Sequence, residues 1–285
     1  MQKKITTTRF APSPTGYLHL GHAYSAIFAE NTALERGGCF HLRIENIDQR
    51  RCRLEYEDSI REDLRWLGLS WEEPVRRQSE HLEDYQEALS RLERLDIIYP
   101  CFCTRREILT EIERADMAPH ESLRGPEGIV YPGTCRDITS DQRESQITLG
   151  KPFALRLDVR RALSLTGKIW WTDRDNGEII AQPELLGDVV LARKDIPTSY
   201  HLSVTVDDYL QKVNLVTRGE DLRFATHIHR LLQGLLNYTV PEYRFHRLLK
   251  GSDGRRYSKR NPSTTIRSLR EAGNSSSDIR EIACR

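Results

Sequence analysis

Residues 9–22, near the start of the chain, limit its possible folds more than any other segment. They read RFAPSPTGYLHLGH: a strand-like start, a turn rich in proline and glycine, and two histidines before a helical pattern. The first turn of a helix presents unpaired N–H groups and a positive dipole end to an anion. This arrangement favours a triphosphate site, in which His19 and His22 donate hydrogen bonds to the phosphates.

The neighbouring segments predict a βαβ unit. Residues 6–10 and 40–45 are typical of strands, and residues 23–35 of a helix that ends at two glycines. In open parallel sheets, ligands bind at the carboxyl ends of the strands, which is where the histidine turn lies. We therefore expect an α/β protein with a nucleotide site at the end of its first strand.

Composition is that of a globular protein, with 38% hydrophobic and 30% charged residues. The sequence contains neither the apolar run of about 18 residues that a membrane span needs nor an apolar signal segment after Met1. We expect a cytoplasmic protein that does not associate with membranes. In that compartment the six cysteines are expected to be thiols or metal ligands rather than a disulfide framework.

Three of these cysteines, Cys101, Cys103 and Cys135, form a candidate metal site. Three thiolates and one further donor complete the tetrahedral shell of a structural zinc ion. The spacing of the first pair is tighter than usual, and the residue chemistry alone leaves the fourth ligand open. His120 is one candidate for that position.

Residues 254–260, which read GRRYSKR, form a second candidate phosphate element. A basic loop that carries Arg256, Ser258 and Lys259 can close over a triphosphate and offset the charge that builds in the transition state. Combined with the two histidines on a βαβ scaffold, this loop predicts a nucleotide site built from two separate parts of the chain.

Together, these segments resemble the class I aminoacyl-tRNA synthetases of the glutamyl and glutaminyl group. The similarity rests, in family order, on residues 9–16, 19–22, 42–45, 48, 206–208, 218–221 and 257–259. It implies a Rossmann-type catalytic domain that forms glutamyl-adenylate from L-glutamate and ATP with Mg²⁺. The catalytic residues that it implies are His19, His22 and Lys259. The implied ATP site consists of His19, Gly21, His22, Arg256, Ser258 and Lys259.

The resemblance also implies a glutamate site, and the residue chemistry agrees. The two carboxylates of glutamate need cationic side chains, and its ammonium group needs a carboxylate. Arg9 and Arg218 can supply the cations, Glu45 the carboxylate and Tyr200 a hydroxyl group. The implied site consists of Arg9, Phe10, Ala11, Pro12, Ser13, Glu45, Tyr200 and Arg218.

Two positions depart from the family pattern. Asn46 stands where related enzymes usually carry aspartate, which puts an auxiliary contact in doubt. Arg256 replaces a lysine and keeps the charge without the point-donor geometry, so Lys259 is expected to carry the main role of the loop.

The expected domains are a Rossmann catalytic domain in two halves, residues 1–98 and 188–262, and an α+β insertion, residues 99–187. A helical tail spans residues 263–285.

A short branch of the family carries C-x-C followed by Y-x-x-x-C, a pattern that recurs here at Tyr131 and Cys135. This implies one structural Zn²⁺ per chain. The implied ligands are Cys101, Cys103, Tyr131 and Cys135, with His120 as the alternative to the tyrosine.

The molecule that accepts the activated glutamate is inferred from the number of residues that follow Lys259. Only residues 260–285 follow Lys259, whereas a separate RNA-reading domain needs roughly 50 residues or more, so we expect no anticodon-binding domain. The short branch implies activation of glutamate without tRNA and transfer to queuosine at the wobble position of tRNA(Asp). We expect a monomer. The alternatives are a minimal synthetase that charges a tRNA 3′ end, and an idle zinc-containing RNA-binding module. Intact His19, His22 and Lys259 argue against the idle module.

Overall fold

The computed structural model describes residues 5–35, 37–116, 124–193, 195–251, 257 and 265–284. The chain begins with β1 (Thr7–Phe10), α1 (Leu20–Leu34), β2 (Cys39–Ile44), α2 (Leu54–Trp66) and β3 (Glu72–Arg77). These three strands form a parallel sheet in the order β1-β2-β3. The predicted βαβ unit is therefore confirmed. The helix starts three residues before the predicted position because His19 caps it.

The middle of the chain mixes helices and strands. They are α3 (Leu82–Arg94), β4 (Ile98–Cys101), α4 (Arg105–Asp116), β5 (Arg124–Gly125), β6 (Gly128–Ile129), α5 (Ser140–Thr148), β7 (Ala154–Leu157), α6 (Val159–Thr166), β8 (Trp170–Asp173), β9 (Gly177–Ile180) and β10 (Val190–Arg193). Strands β4, β7 and β10 form an antiparallel sheet, and β5 pairs with β6 in a short hairpin.

The last part of the chain completes a second parallel sheet. Its elements are α7 (Tyr200–Leu210), β11 (Leu215–Gly219), α8 (Ala225–Leu235), β12 (Glu242–His246), α9 (Ile266–Glu271) and α10 (Ser276–Cys284). The sheet has the order β11-β12-β8-β9, in which only β9 is antiparallel to its neighbour.

This strand pairing departs from the expected domain division. Strands β8 and β9 fall within residues 99–187, yet they extend the sheet of the second half, while β10 pairs with β7. The physical reason is Trp171 of β8, which is 2% exposed and packs edge-on against Tyr243 and Phe245 of β12. Its burial ties β8 to the core of the second half.

The two parallel sheets meet along β1 and β11. The N–H of Asn214 donates to the carbonyl of Thr7 (3.2 Å), and farther along Arg9 Nη1 donates to the carbonyl of Thr217 (3.0 Å). Both strands therefore run in the same direction, and their carboxyl ends open on the same side. An open α/β sheet binds its ligands at such a junction.

The C-terminal helices belong to the core of the first half. Ile266 and Ile279 are fully buried against α1 and α2, and Arg280 Nη1 donates to the carbonyl of Leu67 (2.7 Å). A fully buried isoleucine contributes about 1.5–3 kcal/mol to folding, so this tail stabilises the half that carries the histidine turn. No helix within the described ranges has the length and apolarity to cross a lipid bilayer.

Candidate active site

The turn between β1 and α1 is organised by its two histidines. Nδ1 of His19 accepts the N–H of Gly21 (3.1 Å), and Nδ1 of His22 accepts the N–H of His19 (3.2 Å). The two rings stack with their centroids 3.7 Å apart. Because each Nδ1 is an acceptor, each neutral imidazole carries its proton on Nε2. The turn thus presents ring donors of the polarity that phosphate oxygens require.

Position 21 leaves little room for a side chain beside His19. A Cβ atom there would lie 3.0 Å from Cε1 and 3.1 Å from Nδ1 of His19. The imidazole would have to shift by a few tenths of an ångström to admit it.

The end of the chain returns to the same turn. Thr265 forms an isolated antiparallel bridge with His19, and the N–H of Ile266 donates to the carbonyl of Leu18 (2.8 Å). The ring of Tyr257 lies 6.3 Å from that of His19. The residues on either side of positions 258–264 therefore lie beside the histidines. The predicted site residues Arg256, Ser258 and Lys259 fall outside the described residues, as does His120.

A cavity of about 390 Å³ opens at the carboxyl ends of β1 and β11, next to the second turn of α1. Most of the predicted glutamate site lines it: Arg9, Phe10, Ala11, Glu45, Tyr200 and Arg218. Pro12 and Ser13 do not. The carbonyl of Pro12 accepts the N–H of Glu45 (3.0 Å), and Ser13 lines a neighbouring cavity of about 250 Å³ that shares Glu45 and Tyr200.

Buried ion pairs form one wall of this cavity. Arg9 pairs with Asp208 through Nε to Oδ1 (2.9 Å) and Nη2 to Oδ2 (3.4 Å). Arg43 donates to the same Oδ1 (2.7 Å) and to Glu45 Oε1 (3.1 Å). Although burial by itself raises it, Arg9 and Arg43 lower the pKa of Asp208 to about 2. The charge of Arg9 is therefore already balanced by a carboxylate.

Asp207 anchors a second layer behind this wall. It accepts from Arg76 Nε (2.6 Å), Gln78 Nε2 (2.8 Å) and the hydroxyl of Tyr85 (2.9 Å). Arg43 also approaches it, with Nε 3.6 Å from Oδ2. The sequence pattern contained Asp207 only within a family motif, and it assigned no role to Arg43. The sequence feature that could have indicated the role of Arg43 is its position as a charged residue within the hydrophobic strand β2.

Arg218, on the other side of the cavity, has neutral partners. Its Nη1 donates to His229 Nδ1 (3.0 Å) and lies 3.4 Å from the hydroxyl oxygen of Thr226. The guanidinium stands 5.3 Å from the ring centroid of Tyr243. Its Nε is buried and has no hydrogen-bond partner among the described residues.

Two histidines continue from Arg218 into the protein. Nε2 of His229 lies 3.2 Å from Nδ1 of His201. Burial, reinforced by the charge of Arg218, lowers the pKa of His201 to about 4 and that of His229 well below its ordinary value. Both rings are therefore neutral at physiological pH. Sequence reasoning missed both residues, since a histidine on a helix is more often a core residue.

Asn46, which departs from the family pattern, has a structural role. Its Nδ2 donates to the hydroxyl oxygen of Ser79 (2.9 Å), and its Oδ1 accepts the N–H of Ser79 (2.8 Å). The asparagine thus ties the end of β2 to the segment after β3.

The cysteine cluster can bind a metal ion. The sulfur atoms of Cys101, Cys103 and Cys135 all lie within 4.8 Å of one another, and the hydroxyl of Tyr131 lies 3.5 Å from Sγ of Cys103. Zn–S bonds of about 2.3 Å in a tetrahedron hold sulfurs about 3.8 Å apart, so this donor set fits that ion. The N–H of Phe102 donates to Sγ of Cys135 (3.4 Å), which favours the thiolate form.

Comparison with known proteins adds to this geometry. Residues 5–285 match the family described as "tRNA synthetases class I (E and Q), catalytic domain". A glutamyl-Q tRNA(Asp) synthetase of Rhodobacter capsulatus is 46% identical over 280 residues, which cover 96% of this chain and 98% of that protein. A glutamate–tRNA ligase of Aquifex aeolicus is 38% identical over 93% of this chain and 54% of its own length.

Solved structures show the same similarity. A crystal structure of a glutamate tRNA ligase from Elizabethkingia meningosepticum, in complex with its amino acid, has a TM-score of 0.73 and 28% identity. The match covers 90% of this chain and 52% of that protein. The chain therefore spans about half the length of these glutamate–tRNA ligases and nearly all of the Rhodobacter protein.

Proposed function

This chain belongs to the class I tRNA synthetases of the glutamate and glutamine group, and on that premise we propose that it transfers glutamate to queuosine at the wobble position of tRNA(Asp). It is an aminoacyl-tRNA synthetase-like ligase, and the predicted Rossmann-type synthetase fold is confirmed. We propose that activation of glutamate with ATP needs no tRNA. The observation that carries the proposal is the 390 Å³ cavity with Arg9, Glu45 and Arg218, next to the histidine turn.

In the first step, a carboxylate oxygen of the glutamate α-carboxyl group attacks the α-phosphorus of ATP, and pyrophosphate leaves. His19 and His22 donate from Nε2 to the phosphates, and Lys259 adds a positive charge. Mg²⁺ bound to ATP would screen the charges of the phosphates. Arg218 binds the side-chain carboxylate of glutamate, and Glu45 binds its ammonium group.

Glu45 is suited to that role by its surroundings. Burial raises its pKa, while Arg43 and Arg9 oppose the shift. An incoming ammonium group adds a further positive charge and so favours the ionised form. Tyr200 lines the same cavity, and its hydroxyl can complete the polar contacts of the substrate.

In the second step, a hydroxyl of the queuosine cyclopentenediol attacks the carbonyl carbon of the adenylate, and AMP leaves. We expect the diol to enter the 250 Å³ cavity, since that space shares Glu45 and Tyr200 with the glutamate cavity. Its lining includes the hydroxyl residues Thr15, Thr198 and Ser203, which can bond a diol. Similarity to the Rhodobacter protein over 98% of its length supports this acceptor.

We propose that the cysteine cluster holds one structural Zn²⁺, with Tyr131 as the fourth ligand and His120 as the alternative. The zinc ion would tie the ends of β4 and α4 to the segment around Cys135. A monomeric state, a cytoplasmic location and a catalytic domain interrupted by an insertion also remain predictions.

Two assays test the function. Glutamate-dependent exchange between ATP and pyrophosphate should occur without tRNA, and its absence at saturating substrates would exclude glutamate activation. Labelled glutamate should then be transferred to tRNA(Asp) that contains queuosine, but not to the same tRNA without it. Labelling of tRNA(Glu), or labelling that ignores queuosine, would reject the proposed acceptor.

A further inference from the structure

The two arginines of the glutamate cavity differ in their charge balance. Arg9 forms a two-point ion pair with Asp208, and its remaining nitrogen bonds to the carbonyl of Thr217. Arg218 is just as buried, but its contacts are a hydroxyl, an imidazole and an aromatic ring. Within the described ranges, no carboxylate forms an ion pair with Arg218; Glu127 in the β5–β6 turn acts on it only from farther away. Among the described residues that line the cavity, Arg218 is thus a positive charge without an ion-pair partner.

His229 is the residue that permits this state. A buried guanidinium needs acceptors for its N–H groups, and a carboxylate would be the usual one. The neutral Nδ1 of His229 provides an acceptor 3.0 Å from Nη1 without cancelling the charge. This hydrogen bond holds the guanidinium of Arg218 in place, and its positive charge remains available to attract an incoming anion.

The proton arrangement of His229 is fixed by its neighbour. Since Nδ1 accepts from Arg218, the single proton of the neutral ring lies on Nε2. That N–H faces Nδ1 of His201 at 3.2 Å, and His201 therefore accepts there. The hydrogen bond keeps His229 in the one tautomer that can serve Arg218.

We propose that His229 is a positioning residue that orients Arg218 without neutralising it, and that it thereby sets the preference of the cavity for an ionised carboxylate side chain over an amide. His201 supports it by holding its tautomer. The inference rests on the proposed function, because it assumes that glutamate is the substrate of this cavity. Glutamine has the same shape but no charge, so it is the competitor against which the preference is defined.

The decisive test compares His229→Asp with His229→Asn. Asparagine Oδ1 reproduces the neutral acceptor near the position of Nδ1, and aspartate adds only the negative charge. ATP–pyrophosphate exchange should be measured with glutamate and with glutamine, alongside thermal unfolding. Because hydrogen bonds to charged groups are worth about 10- to 100-fold in binding, His229→Asp should raise KM for glutamate at least tenfold and reduce the preference over glutamine. His229→Asn should keep both within about threefold.

A second pair of variants covers the case in which His229→Asp does not fold. His201→Leu removes the acceptor of the His229 proton and should raise KM for glutamate about threefold or more, with kcat little changed. His201→Asn restores the acceptor and should restore KM. A merely structural role would lower stability and kcat without moving the preference for glutamate.

The outcomes separate the two proposals. If the unmodified enzyme shows no exchange with glutamate, the proposed function fails. If it shows exchange, but the aspartate and asparagine variants keep the same preference for glutamate over glutamine, only the role of His229 is overturned. An unchanged KM in His201→Leu would overturn the role of His201.

Discussion

Replacing Asp208 by asparagine should remove the charge on which the buried wall of the cavity depends. Asp208 is 5% exposed and accepts hydrogen bonds from both Arg9 and Arg43. Asparagine keeps the shape but leaves two buried guanidinium groups short of one negative charge. Breaking a buried ion pair from one side costs about 3–5 kcal/mol, which is the expected loss in the free energy of unfolding at pH 7.

The contribution of Asp208 to the free energy of unfolding also depends on pH. The pKa of Asp208 is about 2 in the folded protein and near 3.8 without its partners. A depressed carboxyl pKa stabilises the fold above the unfolded value, and this stabilisation is lost as pH falls towards the folded value. Its size is roughly 2–3 kcal/mol at pH 7 and about half of that at pH 3. The difference between the native protein and Asp208→Asn should therefore shrink by about 1 kcal/mol between these two pH values.

Urea denaturation at pH 7 and pH 3 measures both effects. Asp195→Asn is the matched control, because that carboxylate is 45% exposed and lies 3.9 Å from Arg50 at the surface. Exposed pairs contribute at most about 1 kcal/mol, so the control should change little at either pH. The reasoning is refuted if both variants lose the same stability, or if the loss in Asp208→Asn is independent of pH.

Three further predictions concern other parts of the molecule. Cys135→Ser should abolish bound zinc, measured by atomic emission on the purified protein, whereas Cys52→Ser, outside the cluster, should retain it. Gly21→Ala should leave stability within about 1 kcal/mol, since alanine favours helices. It should lower the exchange rate on the order of tenfold, because the imidazole of His19 must shift to admit the new Cβ atom. Ile279→Ala should lower the free energy of unfolding by about 2–5 kcal/mol, and Ile282→Ala, 42% exposed, by about 0.5 kcal/mol; equal losses would contradict the packing of α10.

The features that could be predicted from the sequence are local or carried by motifs. The first strand, helix and second strand follow from hydrophobic periodicity and glycine positions, and the structure places them within a few residues. Arg9, Glu45 and Arg218 come from distant segments, yet they line one cavity, as expected for side chains at the carboxyl ends of adjacent parallel strands.

The features that escaped prediction depend on contacts between distant segments. The sequence around β8 does not indicate that this strand joins the second sheet. Its pairing depends on the packing of Trp171 against strand β12, some 70 residues later in the chain. From the sequence alone, Arg43 is expected to be an exposed strand residue. In the structure it is buried in an ion pair with Asp208, which is distant in the sequence. His229 acquires a role only through Arg218 on one side and His201 on the other.

The packing of α9 and α10 beside the histidine turn has a consequence for folding. Strand β12 is built into the core of the second half, whereas Leu249, Ile266 and Ile279 pack into the core of the first half. Thr265 also forms a bridge with His19. The core of the first half therefore combines β1, β2 and α1 with two helices that follow the second half in the chain. That core is complete only when α9 and α10 have docked, although its three strands all lie within residues 7–77.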